Sequence, residues 1–189
     1  RGANVWSDMS RALITFHAAE NWSDTAQGAF IAFMTTPPGS TSPTEQMRIS
    51  PEGNVGIGTS NPTNRLHIAT DGESVVSNLA CGESINVDFR GARARGTKSA
   101  PSAVQAGDKL MGIGATGYGA SGWASGGRAG MIFGAAENWT DIAQGTHIIF
   151  MTTSTGSTSL YERMRISPSG NVGIGTTSPI VRLDARSTS

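Results

Sequence analysis

Three carboxylates occur twice along the chain, and paired carboxylates could cleave sugar polymers. At an offset of 117 residues, the acidic positions that recur are Glu20, Asp24 and Glu45, as Glu137, Asp141 and Glu162. Two carboxylates are the minimum set for glycoside hydrolysis, so a Glu20/Asp24 pair would indicate a polysaccharide-degrading enzyme. Alternatively, such carboxylates form ion pairs, for example Glu45 with Arg48 and Glu162 with Arg165, or accept hydrogen bonds from turn amides. The structural alternative is favoured, because a duplicated joint is a simpler arrangement than a duplicated active site.

Each copy also has a polar loop that carries one tryptophan. The candidate carbohydrate-binding residues of these loops are Asn21, Trp22 and Asp24 in the first copy and Asn138, Trp139 and Asp141 in the second. An exposed Trp ring can stack on a sugar while neighbouring amide and carboxylate groups meet its hydroxyls. In the alternative interpretation, each Trp packs against a neighbouring chain and fastens an assembly. Packing is favoured, because an element that recurs at a regular interval serves assembly first.

The sequence gives no support to metal, cofactor or nucleophilic chemistry. None of the histidines is repeated, since the other copy has Gly134 for His17, Asp184 for His67 and Phe30 for His147. A repeated metal or acid–base site would keep its histidine, and no two histidines lie at ligand spacing. The Gly-Ile-Gly-Thr of residues 56–59 lacks the lysine and the helix of a phosphate-binding loop. The single Cys81 can form neither an internal disulfide nor a cysteine metal site. We therefore predict no catalytic residue, no cofactor and no metal.

A small basic cluster lies in the unrepeated part of the chain. It consists of Arg90, Arg93, Arg95 and Lys98. Arginine among glycines can contact phosphates, but the net charge of the chain is zero, so no overall field attracts nucleic acid. We expect these side chains to pair with Asp88 or Asp108 instead. No apolar run approaches the roughly 18 residues of a membrane-spanning helix, so membrane insertion is not expected either.

The composition predicts an all-β protein with little or no helix. Charged residues make up 15% of the chain, against roughly 25% in typical soluble domains, and there are 25 glycines. Residues typical of turns separate short runs rich in Val, Ile and Phe, which is the pattern of many short strands. Repeated strands are predicted at 12–16 and 28–36, with counterparts at 129–133 and 145–153, and unrepeated strands at 84–89 and 104–113.

The most distinctive stretch is Met-Arg-Ile-Ser-Pro-x-Gly-Asn-Val-Gly-Ile-Gly-Thr, found at residues 47–59 and 164–176. Apolar residues alternate on both sides of a Ser-Pro-x-Gly turn, which predicts a strand, a turn and a second strand. The apolar residues share one face, and the glycines of Gly-Ile-Gly fall on the other. A glycine face is useful mainly where another backbone lies close, and we expect that backbone to belong to a neighbouring chain. Ile57 and Ile174 are expected to fill a shared core.

The offset of 117 residues aligns the two copies without a gap. Of the 40 positions from Glu20 to Thr59, 29 are identical to their counterparts. Residues 70–186 are therefore predicted to form one complete repeat, residues 1–69 the last part of another, and residues 187–189 a tail. Because the chain opens with Arg1 inside a repeat, we expect a fragment or a processed product. Repeats with too little interior of their own are stabilised by stacking neighbours or by winding several chains together.

The repeated stretch, continued as x-x-Pro-x-x-x-Leu, resembles the repeat near the C-terminus of tailed-bacteriophage tail fibres and tailspikes. In such proteins it often precedes an endosialidase-type intramolecular chaperone domain. An upstream segment also resembles the front of that fibre repeat, through Arg95-Gly96-Thr97, Pro101, Val104, Gly107-Asp108 and Leu110. Together these matches cover most of residues 90–183, and the first copy covers residues 12–66. The chaperone domain itself does not match any part of the sequence; on this resemblance, we expect it either to be removed after assembly or to lie beyond this fragment.

The resemblance implies an elongated, intertwined homotrimeric fibre on the phage virion, extracellular to the host. Its expected partners are its own copies, other tail proteins and a glycan or protein receptor on the host surface. It implies no catalytic residues, because none of the family's enzymatic parts matches. Two alternatives stay open: a polysaccharide-degrading tailspike, which a cleavage assay on host polysaccharide would identify, and a bacterial trimeric adhesin, whose head repeats also use short Val-x-Ile-Gly strands.

Overall fold

The computed structural model describes residues 11–74, 76–78 and 88–187. These residues form thirteen β-strands and no helix, which confirms the all-β prediction. It follows that this part of the chain has no helix long and apolar enough to cross a membrane. The chain divides into two compact units, Arg1–Gly82 (unit 1) and Glu83–Ser189 (unit 2).

Unit 1 contains one five-stranded sheet. Its strands are β1 (Ala12–Ala18), β2 (Ala29–Thr35), β3 (Thr44–Ile49), β4 (Val55–Ile57) and β5 (Leu66–Ile68). They lie across the sheet in the order of the sequence. Neighbouring strands are antiparallel, except that β4 and β5 are parallel. The parallel pair forms because the loop of residues 58–65 returns the chain to the starting end of β4.

Unit 2 contains a short ribbon and a six-stranded sheet. The ribbon pairs β6 (Arg95–Gly96) with β7 (Pro101–Ser102). The sheet strands are β8 (Lys109–Ala115), β9 (Ala129–Ala135), β10 (Thr146–Thr153), β11 (Leu160–Ile166), β12 (Val172–Ile174) and β13 (Leu183–Ala185). They too lie in sequence order, and only β12 and β13 are parallel.

The two sheets repeat as the sequence does. Strands β9 to β13 follow β1 to β5 at an offset of 117 residues, to within one residue at either end. Even the β-bulge recurs, since the register shifts between Phe33 and Met34 in unit 1 and between Phe150 and Met151 in unit 2. Unit 2 has one additional edge strand, β8, paired with β9. In the described residues of unit 1, no strand occupies the corresponding outer edge of β1.

The Ser-Pro-x-Gly turns form as predicted. In unit 1 the Gly53 N–H donates to Ser50 O at 2.9 Å, and the Ser50 N–H donates to Asn54 O at 2.8 Å. Gly53 has a φ of +77°, in the left-handed region that glycine enters without steric cost. The same two bonds close the turn at 167–171 in unit 2. The strand–turn–strand prediction for both copies is therefore confirmed.

The glycines after these turns have a different neighbour from the one predicted. A Cβ placed on Gly173 would lie 2.6 Å from the carbonyl oxygen of Thr176, and Gly56 is equally crowded by Thr59. The close backbone thus belongs to the same chain, and the prediction of a neighbouring chain at this point is wrong. Glycine is required because the chain doubles back here to begin the loop that leads to the parallel strand.

The predictions for the unrepeated region hold only in part. The strand predicted at 104–113 is observed as β8, which begins at Lys109 and ends at Ala115. Before it, the Asp108 N–H donates to Gln105 O at 3.0 Å, so that this part of the chain is a turn. The strand predicted at 84–89 lies mostly outside the described residues, and its last two positions are not in a strand. Cys81 also lies outside the described residues.

Each sheet presents one apolar face, built from two rows of residues paired across the strands. In unit 1 the rows consist of Ile14, Phe33, Met47, Ile57 and Ile68, and of Phe16, Ile31, Ile49, Val55 and Leu66. In unit 2 they consist of Ile113, Met131, Phe150, Met164, Ile174 and Ala185, and of Met111, Phe133, Ile148, Ile166, Val172 and Leu183. Both repeats therefore place two continuous apolar rows on the same face of the sheet. The opposite face has fewer large apolar side chains, which include Leu13, Phe30 and Met34 in unit 1 and Ile132, Ile149 and Met151 in unit 2.

This apolar face is partly open to solvent in the single chain, because each residue of its rows is either exposed or half-buried. Phe16 is 76% exposed and Leu183 is 63% exposed. Within each unit the strands pack edge to edge, and no second layer of described strands covers the face. Among the described residues, the fully buried apolar side chains are limited to Ala32, Val104 and Ala135. Since burying one large apolar side chain contributes about 1.5–3 kcal/mol, covering the face offers a large stabilisation that the single unit lacks.

Candidate functional site

The tryptophan loop of each repeat is hydrogen-bonded to the glycine that immediately precedes the next strand, β2 in unit 1 and β10 in unit 2. In unit 1, Glu20 Oε1 accepts a hydrogen bond from the Gly28 N–H at 2.6 Å, and Trp22 Nε1 donates to Gly28 O at 3.0 Å. In unit 2 the corresponding bonds join Gly145 to Glu137, at 2.5 Å, and to Trp139, at 3.3 Å. Glu20 and Glu137 therefore cap backbone amides, which is the structural interpretation given to them above.

The two tryptophans differ in how far they are covered. Trp22 is 60% exposed, whereas Trp139 is half-buried. The difference arises because residues 104–106 lie against the loop of unit 2: the Trp139 N–H donates to Val104 O at 2.9 Å, and Asn138 Oδ1 accepts from the Ala106 N–H at 3.0 Å. The same candidate residues thus lie in different surroundings in the two loops.

A cleft of about 250 Å³ borders the loop of unit 2. Its lining includes Trp139, Asp141 and Gln144, with Val104 and Arg93 on the other side. Asp24 and Asp141 are exposed, and within the described residues no hydrogen bond engages either carboxylate. An aromatic ring beside an unengaged carboxylate and an amide is an arrangement that can bind sugar hydroxyls.

The remaining repeated carboxylates form ion pairs. Glu45 and Arg48 make a two-pronged contact, with Nε–Oε1 at 2.6 Å and Nη2–Oε2 at 2.7 Å, and Glu162 and Arg165 repeat it at 2.5 and 2.7 Å. The carboxylate hydrogen bond raises the pKa of each arginine. Residues three apart in a regular strand point to opposite faces, but the β-bulge puts both partners on the same face. The predicted ion pairs are confirmed.

The histidines fill structural positions. His17 stacks on Phe30 with ring centroids 4.8 Å apart. In unit 2 the corresponding pair is Gly134 and His147, and the His147 ring lies so close to Gly134 that a Cβ there would contact it. Burial, together with the nearby Arg165 guanidinium, lowers the pKa of His147.

The third histidine is replaced by a residue that makes the same kind of bond. His67 Nδ1 accepts from the Thr63 N–H at 3.4 Å, and in unit 2 Asp184 Oδ2 accepts from the Ile180 N–H at 3.2 Å. The described residues contain no group of three or more His, Cys, Asp or Glu side chains able to hold a metal.

The basic cluster is organised around one carboxylate. Arg95 contacts both oxygens of Asp108, at 2.7 and 2.8 Å, and Arg93 Nη2 contacts Oδ1 at 2.9 Å. The buried Asp108 also accepts from the Gln105 N–H at 3.0 Å. These contacts hold the pKa of Asp108 well below its usual range, the Arg95 hydrogen bond being the largest cause. Earlier in the chain, Arg90 pairs with Asp88 at 3.3 Å. The predicted charge pairs are therefore confirmed for the three arginines, whereas Lys98 makes no ion pair with the residues that the structure describes.

No protein-family model matches the sequence, and no curated protein matches it. The fold, however, is similar to two solved structures of the bacteriophage T5 L-shaped tail fibre. One is its carboxy-terminal domain with the intramolecular chaperone domain, at a TM-score of 0.83 and 18% identity, over 95% of this chain and 53% of that chain. The other is the carboxy-terminal domain, at a TM-score of 0.72 and 18% identity, over 95% of this chain and 77% of that one.

The chain has a phage tail-fibre fold. The resemblance drawn from the sequence is thereby supported by an independent comparison of structures. The chain spans about half the length of the first of these structures. At this level of identity the tail-fibre fold carries over no residue roles, so the two tryptophan loops stay candidates on the strength of their own geometry.

Within the tail-fibre fold, Trp139→Ala is expected to lower the melting temperature more than Trp22→Ala. Both substitutions remove an indole hydrogen bond to a glycine carbonyl, but only Trp139 also loses packing against the segment that covers it. A fully buried Trp costs about 3–5 kcal/mol on truncation, so the half-buried ring should cost about 2 kcal/mol more than Trp22. This corresponds to about 4–8 °C in thermal unfolding followed by circular dichroism. If Trp22→Ala lowered the melting temperature as much as Trp139→Ala, or more, Trp22 would have to be covered in solution.

Proposed function

We propose that the chain is a structural segment of a bacteriophage tail fibre, a homotrimeric shaft on the virion that takes part in attachment to the host. The observation that carries this proposal is the partly exposed apolar face, whose rows match in the two repeats except for Ile14 against Met131 and Ile68 against Ala185, and which has no covering layer of strands in either described sheet. The tail-fibre fold supports it, as does the repetition of the entire sheet at a fixed interval. The number of chains, three, follows the resemblance to phage fibres.

An association of chains through these faces would supply the core that each unit lacks. Exposed apolar patches of this extent mark interaction surfaces in soluble proteins. Winding copies of one chain together covers every repeat in the same way, because each copy presents identical rows of side chains. A strand row of Ile, Phe, Met and Val from each chain would meet the matching rows of the other two.

Attachment is proposed to rely on several weak contacts. Three chains with two tryptophan loops each present repeated copies of the same candidate site, for a glycan or protein receptor on the host surface. Linking binding modules raises overall avidity by about 10²–10⁴-fold without any new contact, so a single loop needs little affinity. Other tail proteins would hold the shaft on the virion.

Light scattering coupled to size exclusion tests the assembly directly. The chain has a mass of 19.5 kDa, and the proposal expects a particle of three times that mass whose proportion does not fall on dilution to low micromolar concentration. A folded monomer would overturn the proposal. A stable dimer would keep the buried apolar face but refute the trimeric shaft.

A further inference from the structure

The loop between β8 and β9 in unit 2 folds into a small hairpin that carries two aromatic rings. Two backbone hydrogen bonds of 2.7 and 3.0 Å close it, from Gly119 N–H to Gly122 O and from Ala124 N–H to Gly117 O. Between these bonds, Tyr118 and Trp123 pair across the hairpin as an antiparallel bridge. We call residues 117–124 the aromatic hairpin. Its backbone bonds hold the two rings side by side.

The two rings of the aromatic hairpin stand perpendicular to each other and open to solvent. Their centroids lie 5.5 Å apart at an interplanar angle of 89°, and Tyr118 is 65% and Trp123 71% exposed. A Cβ placed on Gly117 or Gly122, each the residue before one of the rings, would have no described atom within 4 Å apart from those of its chain neighbours. The space around the rings is therefore large enough for a ligand.

The polar groups of these rings are also available. The indole N–H groups of Trp22 and Trp139 each donate to a glycine carbonyl, so both serve the structure of their own loops. By contrast, no residue within the described part of the chain accepts from the Trp123 indole N–H or bonds to the Tyr118 hydroxyl. Tyrosine and tryptophan that pack only for stability usually find partners for these groups. Here they are free to meet a ligand.

The composition of the hairpin limits the class of ligand. Residues 116–127 include no charged side chain and no aliphatic side chain larger than alanine. A charged ligand would therefore find no counter-ion in the hairpin. A protein partner would need a surface of about 800 Å² on each side, whereas each ring offers at most about 150–250 Å². A sugar ring requires less, since one aromatic face and a few hydrogen-bonding groups suffice.

We propose that the aromatic hairpin is a binding site for an uncharged pyranose ring of a glycan. The C–H face of the sugar packs on the Trp123 ring, the Trp123 Nε1–H donates to one sugar hydroxyl, and the Tyr118 hydroxyl bonds to another. The site lies entirely within unit 2 and differs from the two tryptophan loops. Binding of the sugar requires no assembled fibre, and only its use in host attachment rests on the proposed function.

Nuclear magnetic resonance of the complete 189-residue chain tests the site. The probes are the methyl glycosides of glucose, galactose and mannose, added one at a time. At least one should shift the Trp123 indole N–H signal saturably, with a Kd of about 1–10 mM, the affinity expected for so small a ligand on an open surface. No saturable shift with any probe up to about 100 mM would overturn the proposal. A shift confined to the indole signals of Trp22 or Trp139 would also overturn it, and would favour the tryptophan loops.

The second tyrosine supplies a matched control. Tyr118→Phe removes only the hydroxyl and keeps the ring pair, so it should weaken sugar binding by about 2–12-fold, the usual range for one hydrogen bond. Tyr161→Phe makes the same change at an exposed ring in β11, beneath the Arg163 guanidinium, and should leave the affinity unchanged. Equal effects of the two substitutions, or no effect of either, would contradict binding at Tyr118.

Trp123→Ala removes the stacking surface itself. Because truncation of a tryptophan is among the most costly changes at a binding site, sugar binding should weaken by at least about tenfold, followed at the backbone amide of Gly119. The melting temperature should not change, since the ring is exposed and makes no hydrogen bond within the described residues. Sugar binding as strong as in the wild type would rule out stacking on Trp123.

Two further measurements separate this site from the proposed fibre. Light scattering of the same samples reports the number of chains, so a monomer that binds the sugar would refute the trimeric shaft but keep the site. A trimer that does not bind would refute only the site. If the Trp123 indole signal shifted without sugar as the protein concentration rose, a second copy of this chain would cover the ring, and the glycan would be the wrong occupant.

Discussion

Ile57→Asp and Ile174→Asp are each expected to abolish the soluble trimer. Both side chains lie in the apolar rows, opposite Met47 and Met164, and are 40% and 45% exposed in the single chain. In the proposed assembly these positions become dry, and an unpaired carboxylate taken out of water costs several kcal/mol. Three symmetry-related carboxylates would also be brought close to one another. Size exclusion with light scattering should show monomer or aggregate instead of trimer.

Ile142→Asp is the matched control for this prediction. Ile142 is 98% exposed and lies in the tryptophan loop between β9 and β10, away from the apolar rows. The same change of side chain should therefore leave the trimer intact. If Ile57→Asp and Ile174→Asp both assembled normally, the apolar face would not be the surface on which the chains meet.

Asp108→Asn is expected to produce the largest loss of stability among the charged positions of unit 2. An amide has one oxygen and no charge, so it cannot satisfy two guanidinium groups and the Gln105 N–H that Asp108 holds together. The segment that carries Val104 and covers Trp139 would then be released from the start of β8. Thermal unfolding at neutral pH should show a clearly lower melting temperature for Asp108→Asn. Asp141→Asn, at an exposed position, should leave the melting temperature unchanged.

The effect of Asp108 depends on pH in a direction fixed by its pKa. The folded pKa lies below the value of 3.8 for a free Asp, so the carboxylate contributes its full stability above about pH 4 and loses it as pH falls toward the folded pKa. The difference in melting temperature between the wild type and Asp108→Asn should therefore shrink below about pH 4. A difference that stayed constant down to about pH 2.5 would show that the charge of Asp108 is not its cause.

Local spacing was sufficient to predict the strands and several of their contacts. The alternation in 47–59 and 164–176 predicted two strands and a turn, because period-two patterns and Ser-Pro-x-Gly chemistry act within a few residues. The Glu45–Arg48 pair was predicted from nearness along the chain. Its geometry was not, since the bulge opposite Phe33 and Met34 decides which face each side chain takes.

Contacts between distant residues account for what the sequence did not reveal. The parallel pairing of β5 with β4 depends on a loop of residues 58–65, and the role of Gly56 as a site of close approach depends on where that loop turns back. Asp108 was seen as one of two partners for a basic cluster, and its central position became apparent only when Arg93, Arg95 and Gln105 were brought around it.

The sequence by itself determined the all-β class, the 117-residue repeat and the apolar alternation within single strands, because alternation and self-similarity are properties of the chain read in order. It also identified the two tryptophan loops as equivalent. Only the tertiary structure decided that residues 104–106 cover Trp139, since this segment lies more than thirty residues away in the sequence. A contact between residues so far apart depends on the path of the chain in space, which local spacing does not reveal.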